Sequence, residues 1–148
     1  MSIAPTPADP PRAGTAPAGR RTGASAPQTG RRTGAAAPQT GRDHQAAYLI
    51  ATWLAASLHR VSPAALEHPR GAHDIVLARQ CAIYLVHVVF GFDRAATATL
   101  FRRDRRTVER ACARIEDLRE DAATDRGFDA LERRALALAS SLGLEVRR

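Results

Sequence analysis

The residues of this chain best equipped for chemistry are arginines, and they are crowded together. Between Arg94 and Arg114 seven arginines stand against two acids, Asp104 and Glu109, a local excess of five positive charges. Such density is expensive unless a polyanion lies alongside it. A guanidinium presents several N–H donors in a fixed fork that fits phosphate oxygens or the O6/N7 edge of guanine, so the chemistry on offer is recognition rather than turnover. Nothing in the sequence pairs a nucleophile with a base, sets two carboxylates together or spaces metal ligands, and the five histidines are scattered. The expectation is a non-enzyme with no cofactor. All 22 basic residues are arginine. Without a lysine there is no P-loop, and no nucleotide is expected as a ligand.

The elements that must position these arginines can be read from periodicity. Val108, Ala111, Cys112, Ile115 and Leu118 recur at helical spacing and form one apolar stripe. Arg106 and Arg110 lie opposite, with Glu109, Ala113 and Arg114 flanking them. Asp104 is placed to cap this helix, and Asp93 to cap a shorter one over Ala95 to Phe101. Between them Arg102-Arg103 makes a polar break. A short helix, a tight turn and a longer helix with cations in its first turns is the arrangement of a helix-turn-helix that enters a major groove.

At these residues the sequence resembles the C-terminal DNA-binding domain of the bacterial chromosomal replication initiator DnaA. The resemblance is carried by Arg79, Gln80, Ala82, Tyr84 and Leu85 in one helix. It continues through Phe101, Arg103, Asp104, Arg105, Thr107, Val108, Ala111, Cys112 and Ile115 at the turn and second helix, and covers about residues 44 to 120. It implies binding of double-stranded DNA at sites resembling initiator boxes, and a role in modulating replication initiation or transcription. Base readout would fall to the start of the second helix and backbone contact to Arg79 and Gln80, while Arg70, in the loop His68 to Gly71, would reach a minor groove. The implied DNA-binding set is Arg70, Arg79, Gln80, Arg102, Arg103, Asp104, Arg105, Arg106, Thr107 and Arg110. Three positions depart from the family pattern. Arg102 stands where a glycine is usual, Thr97 where an apolar residue is, and Arg106 replaces a base-reading threonine. The alternative is a helical interaction module that binds the replication initiator or another partner, with DNA contact vestigial. Cations gained at Arg102 and Arg106 argue against it.

Charge divides the chain. Residues 1 to 42 hold six arginines and one aspartate, while 43 to 148 hold sixteen arginines and fourteen acids. The first part is Ala, Pro, Gly, Thr and Arg, with too little apolar surface to offset the entropy of ordering. It is expected to be a disordered basic tail. An eleven-residue repeat runs through it, GRRTGASAPQT at 19 to 29 and GRRTGAAAPQT at 30 to 40, followed by Gly41-Arg42. Its arginine pairs could track phosphates as a loose arm, or the tail could be a solvated linker.

From Asp43, a plausible cap, the chain is expected to be an all-α helical bundle containing the helix-turn-helix. A first stripe of Ala46, Leu49, Ile50, Trp53, Leu54 and Leu58 ends near His59. Ser62-Pro63 starts a short helix to Glu67. Asp74 can cap a long central helix from Ile75 to Phe90, apolar on almost every side except at Arg79, Gln80 and His87, where Arg79 and Gln80 mark an exposed edge. Arg119 to Asp125 reads as a charged connection. A last stripe of Phe128, Leu131, Ala135, Leu138 and Leu142 ends at Gly143. Residues 115 to 148 carry six arginines and eight acids, which suits a packing helix or a partner surface better than phosphates. Cys81 and Cys112, inside apolar stripes without metal-ligand partners, read as buried free thiols. The most apolar stretch, Cys81 to Phe90, is too short to span a bilayer. No membrane partner is expected, and the location expected is cytoplasmic and nucleoid-associated.

Overall fold

The first helix starts where the third period of the repeat begins and its second arginine is replaced by aspartate. Thr29-Gly30-Arg31-Arg32 is followed one period later by Thr40-Gly41-Arg42-Asp43, and the aspartate completes a capping box. Thr40 Oγ1 accepts from the Asp43 backbone N–H at 3.3 Å, and Asp43 Oδ2 accepts from the Thr40 N–H at 2.8 Å. These bonds hold the Asp43 carboxyl below its ordinary range. An arginine there could still donate its backbone N–H to Thr40 but could not accept from the Thr40 N–H. The computed structural model describes residues 40–146. The expected tail therefore lies outside the described residues except for its last three, which form this cap and the first turn of α1. The N-cap is Thr40, and Asp43 serves three residues further on.

The described residues form an all-α bundle with no strand. Helix α1 spans Gly41–His59 and a 3-10 turn follows at Pro63–Glu67. Helix α2 is His73–Tyr84, α3 is Arg94–Phe101, α4 is Arg105–Arg119 and α5 is Ala122–Ser141. The central element is α2, packed against α1 on one side and α4 on another, while α5 closes the bundle across α1 and α4. Ile83, Leu85, Val86, Phe90, Phe92, Val108 and Ile115 are almost completely buried among these helices. Each contributes about 1.5 to 3 kcal/mol of transfer free energy. No helix among the described residues is long and apolar enough to cross a membrane.

Several sequence expectations change at this level. Helix α2 starts at His73 with Ala72 as N-cap, and Asp74 lies in its first turn without making a cap bond. It does not run as α-helix to Phe90: from Leu85 to Val89 it widens into a π turn, with Phe90 N–H donating to Leu85 O at 2.9 Å. In α1 the buried face is Ala47, Ile50, Ala51 and Ala55, whereas Trp53 is 62% exposed and Leu49 and Leu58 about half exposed. In α5 Phe128, Leu131, Ala135 and Ala139 are buried, and Leu138 and Leu142 are turned outward. In each case alanines occupy the contact face and admit a close neighbour, so the larger side chains of the stripe fall on the rim.

The charged connection from Arg119 to Asp125 shrinks to Glu120 and Asp121. Asp121 caps α5, accepting from Thr124 N–H at 2.8 Å. Arg119 ends α4 by donating to Asp125 at 2.7 Å, to Asp129 at 2.8 Å, to Glu132 and to the Tyr84 hydroxyl at 2.9 Å. One side chain thus fastens α2, α4 and α5 together. Cys81 and Cys112 are buried free thiols, with burial pushing their pKa up to about 12 and about 11.

Candidate nucleic-acid interface

Two aspartate caps fix the ends of the helix pair. Asp93 Oδ1 accepts from Ala96 N–H at 2.8 Å to start α3, and Asp104 Oδ1 accepts from Thr107 N–H at 2.6 Å to start α4. The Thr107 bond keeps the Asp104 carboxyl below its ordinary range. Thr97, in a place where the family resembled has an apolar residue, is fully buried and satisfies its hydroxyl by donating to Asp93 O at 2.9 Å.

The turn between the helices is made at Arg102, whose φ of 51° and ψ of 48° put it in the left-handed region. Its N–H closes onto Thr99 O at 3.2 Å, and Arg103 N–H onto Ala98 O at 2.8 Å. A residue with a Cβ is costly in that conformation, and the family resembled usually has glycine here. The turn sends its two arginines to different sides. Arg102 borders a groove with Gln45, Tyr48, Leu66, Glu67, Leu100 and Phe101. Arg103 turns to α2.

A second groove holds most of the expected set. Pro69 and, from α2, Val76, Arg79, Gln80 and Ile83 form one wall, while Arg103, Asp104, Thr107 and Arg110 form the other. Six of the ten expected residues therefore line one cleft, and Arg70 is the exposed neighbour in sequence of Pro69. Arg105 and Arg106 border neither groove and stand exposed in the first turn of α4. Arg106 is one turn from Arg110 on the face away from Val108, Ala111 and Ile115. Arg94 Nη1 meets Glu109 Oε1 at 2.7 Å, so two of the charges in the arginine-rich stretch compensate each other.

Arg79 corrects the expectation of an exposed edge. Only 6% of it is accessible, its Nε donates to Leu66 O at 2.8 Å, and its Nη2 donates to His68 O. Arg103 Nη2 reaches the same His68 carbonyl at 3.1 Å. Burial, and secondarily the charge of Arg103, push the Arg79 pKa down. Two guanidiniums thus grip the loop that carries Arg70. This node escaped the sequence reading, although a cation inside a helix that is otherwise apolar has to find carbonyl partners. The Arg119 node had a signal too, since Asp125, Asp129 and Glu132 form an acidic stripe at helical spacing. No family model, curated protein or solved structure matches the chain, so its function has to be drawn from these side chains.

Proposed function

We propose that this chain binds double-stranded DNA in a sequence-dependent way through the helix-turn-helix α3–α4. Its preferred sites would resemble replication-initiator boxes, and occupancy would modulate replication initiation or transcription at the nucleoid in the cytoplasm. The observation that carries the reading is the cleft in which Gln80, Arg103, Thr107 and Arg110 face one another beside the Arg70 loop, with Arg105 and Arg106 exposed at the start of α4. Arg103 and Arg110 supply phosphate contacts that fix register, and Arg105 and Arg106 read base edges. Arg79 acts by holding the loop.

Selection of bound duplexes from a random pool tests the proposal. The expected result is enrichment of a motif whose preference is lost with Arg106→Ala; recovery of no motif would contradict it. Trp53 and Leu142, exposed on the remaining surface, favour a second reading as a module that docks a partner such as the replication initiator. Under that reading Trp53→Ser would abolish partner capture and Arg106→Ala would not.

A further inference from the structure

One acid stands in the first two turns of α4, and its partner comes from outside the helix. Glu109 is exposed, and within α4 the side chains that can reach it lie three or four residues away. Toward the C-terminus these are Cys112 and Ala113; toward the N-terminus they are Arg105 and Arg106, the two residues given base readout above. Glu109 takes neither arginine. Its Oε1 accepts instead from Nη1 of Arg94, the first residue of α3, at 2.7 Å. Among the described residues Arg105 and Arg106 are tied to no carboxylate. The charge of Arg94 also reaches the Cys112 thiol, which burial and then Glu116 push up and Arg94 draws down. The guanidinium therefore lies along the edge of α4 that carries Glu109 and Cys112. Helix stability gives no reason for an arginine at that place, because a cation in the first turn of α3 meets the positive end of the helix dipole.

We propose that Arg94 is a positioning residue for DNA recognition: by holding Glu109 toward α3 it keeps that carboxylate off Arg105 and Arg106 and leaves their forks free for base edges. Arg94 touches no base in this role. The proposal rests on the DNA-binding reading of α4, and its test keeps the two apart. Without Arg94 the Glu109 carboxylate has two ways to settle, and both act against a duplex. It can pair with Arg105 or Arg106 inside the helix, an interaction that shifts the population about twofold toward the paired form. Left unpaired, it sets a negative charge beside the phosphates. The Arg94–Glu109 pair is itself exposed, with 58% and 49% of the two side chains accessible, so it adds little to the stability of the fold. Its loss falls on recognition.

The experiment compares the full chain with Arg94→Gln, Glu109→Gln and the double variant on a selected duplex and a scrambled one. Arg94→Gln should lower the preference for the selected duplex about two- to threefold while the thermal melt stays where it was. The double variant should recover the wild-type preference, since the acid that Arg94 restrains is gone. A second readout needs no DNA: the Nε–Hε signals of Arg105 and Arg106 in the free chain should shift in Arg94→Gln and return in the double variant. An Arg94 that met phosphates itself would behave differently, with Arg94→Gln weakening both duplexes equally and doing so again when Glu109 is glutamine. That result overturns the proposal, as do a preference that Arg94→Gln leaves untouched and free-chain signals that stay still. Loss of preference in Arg106→Ala with no response to Arg94→Gln sinks this role alone, whereas a wild type that binds both duplexes equally sinks the α4 reading and this role with it.

Discussion

On the proposed DNA-binding reading Arg103 and Arg106, only three residues apart, have different tasks. Arg106 is exposed in the first turn of α4, on the face opposite the buried stripe, where its fork can meet O6 and N7 of guanine. Arg103 is already drawn to the His68 carbonyl and has less freedom to read a base edge. Arg106→Ala should therefore cost about 1 to 3 kcal/mol on the preferred site and little on scrambled duplex. Arg103→Ala should weaken both alike and lower the salt slope by about one ion. Titrations of both duplexes across a salt series decide this, and equal losses with Arg106→Ala would make it a phosphate contact. Arg102 sharpens the picture, because it holds a left-handed conformation at a cost of about 1 to 2 kcal/mol that glycine would not incur. Arg102→Gly should raise stability by about 0.5 to 1 kcal/mol in denaturant melts and, because Arg102 lines the other groove, leave DNA binding nearly unchanged. Arg60, with φ 54° at the end of α1, provides the control: Arg60→Gly should stabilise the fold and leave binding alone.

Among the elements, the helices were most legible in sequence, their caps in part and the faces least, since Thr40 rather than Asp43 caps α1 and Asp74 makes no cap bond. Asp93 and Asp104 cap α3 and α4 as their spacing implies, since a cap needs only a short acceptor at a local position. The stripes of α1 and α5 misled because hydrophobicity marks candidates for burial, and close packing chose the alanines over Leu49, Trp53, Leu138 and Leu142. The π turn at Leu85–Val89 also left no clear trace in an apolar run, and its outcome depends on Phe90 and Phe92 entering the core. The cleft was legible as a list of residues but not as a geometry. That Arg79 turns inward to two carbonyls depends on where the 66–68 backbone passes, a tertiary fact. Arg79→Met keeps the stem and removes the donors, taking that partner from the Leu66 carbonyl and leaving the His68 carbonyl to Arg103 alone. It should cost about 2 to 4 kcal/mol of stability. Amide exchange should rise in the loop around Arg70 before it rises elsewhere; protection unchanged there would remove Arg79 from its positioning role.

For the whole molecule, pH separates two kinds of support. Burial lowers the pKa of His59 below the ordinary 6.5, and its Nε2 is buried without a hydrogen-bond partner. The folded state thus holds His59 neutral. Its stability is fully present above pH 6.5 and declines as pH falls below that value toward the folded pKa, because the unfolded chain takes up the proton first. The capping carboxylates Asp43, Asp104 and Asp121 are all lowered by backbone hydrogen bonds. Their contribution is present above the ordinary value of 3.8 and is lost as pH falls through the lower folded values. Thermal melts from pH 8 to pH 3 should therefore show an early decline that His59→Gln removes and a later one that it leaves intact. A single decline confined to the carboxylate range would deny His59 its part.

The central claim concerns a face of this bundle, so the most direct measurement is of that face. With the side-chain Nε–Hε groups of arginine and the backbone amides followed by NMR, a selected duplex is titrated into the full chain. The expected result is that Arg103, Arg105, Arg106 and Arg110, the amide of Thr107 and the loop at Arg70 shift together and saturate at one site. Arg119 and Arg134 should stay still, the first tied to α5 carboxylates and the second on α5, whose three arginines are matched by three acids. Shifts centred on α1 and α5 with α4 silent would contradict the account.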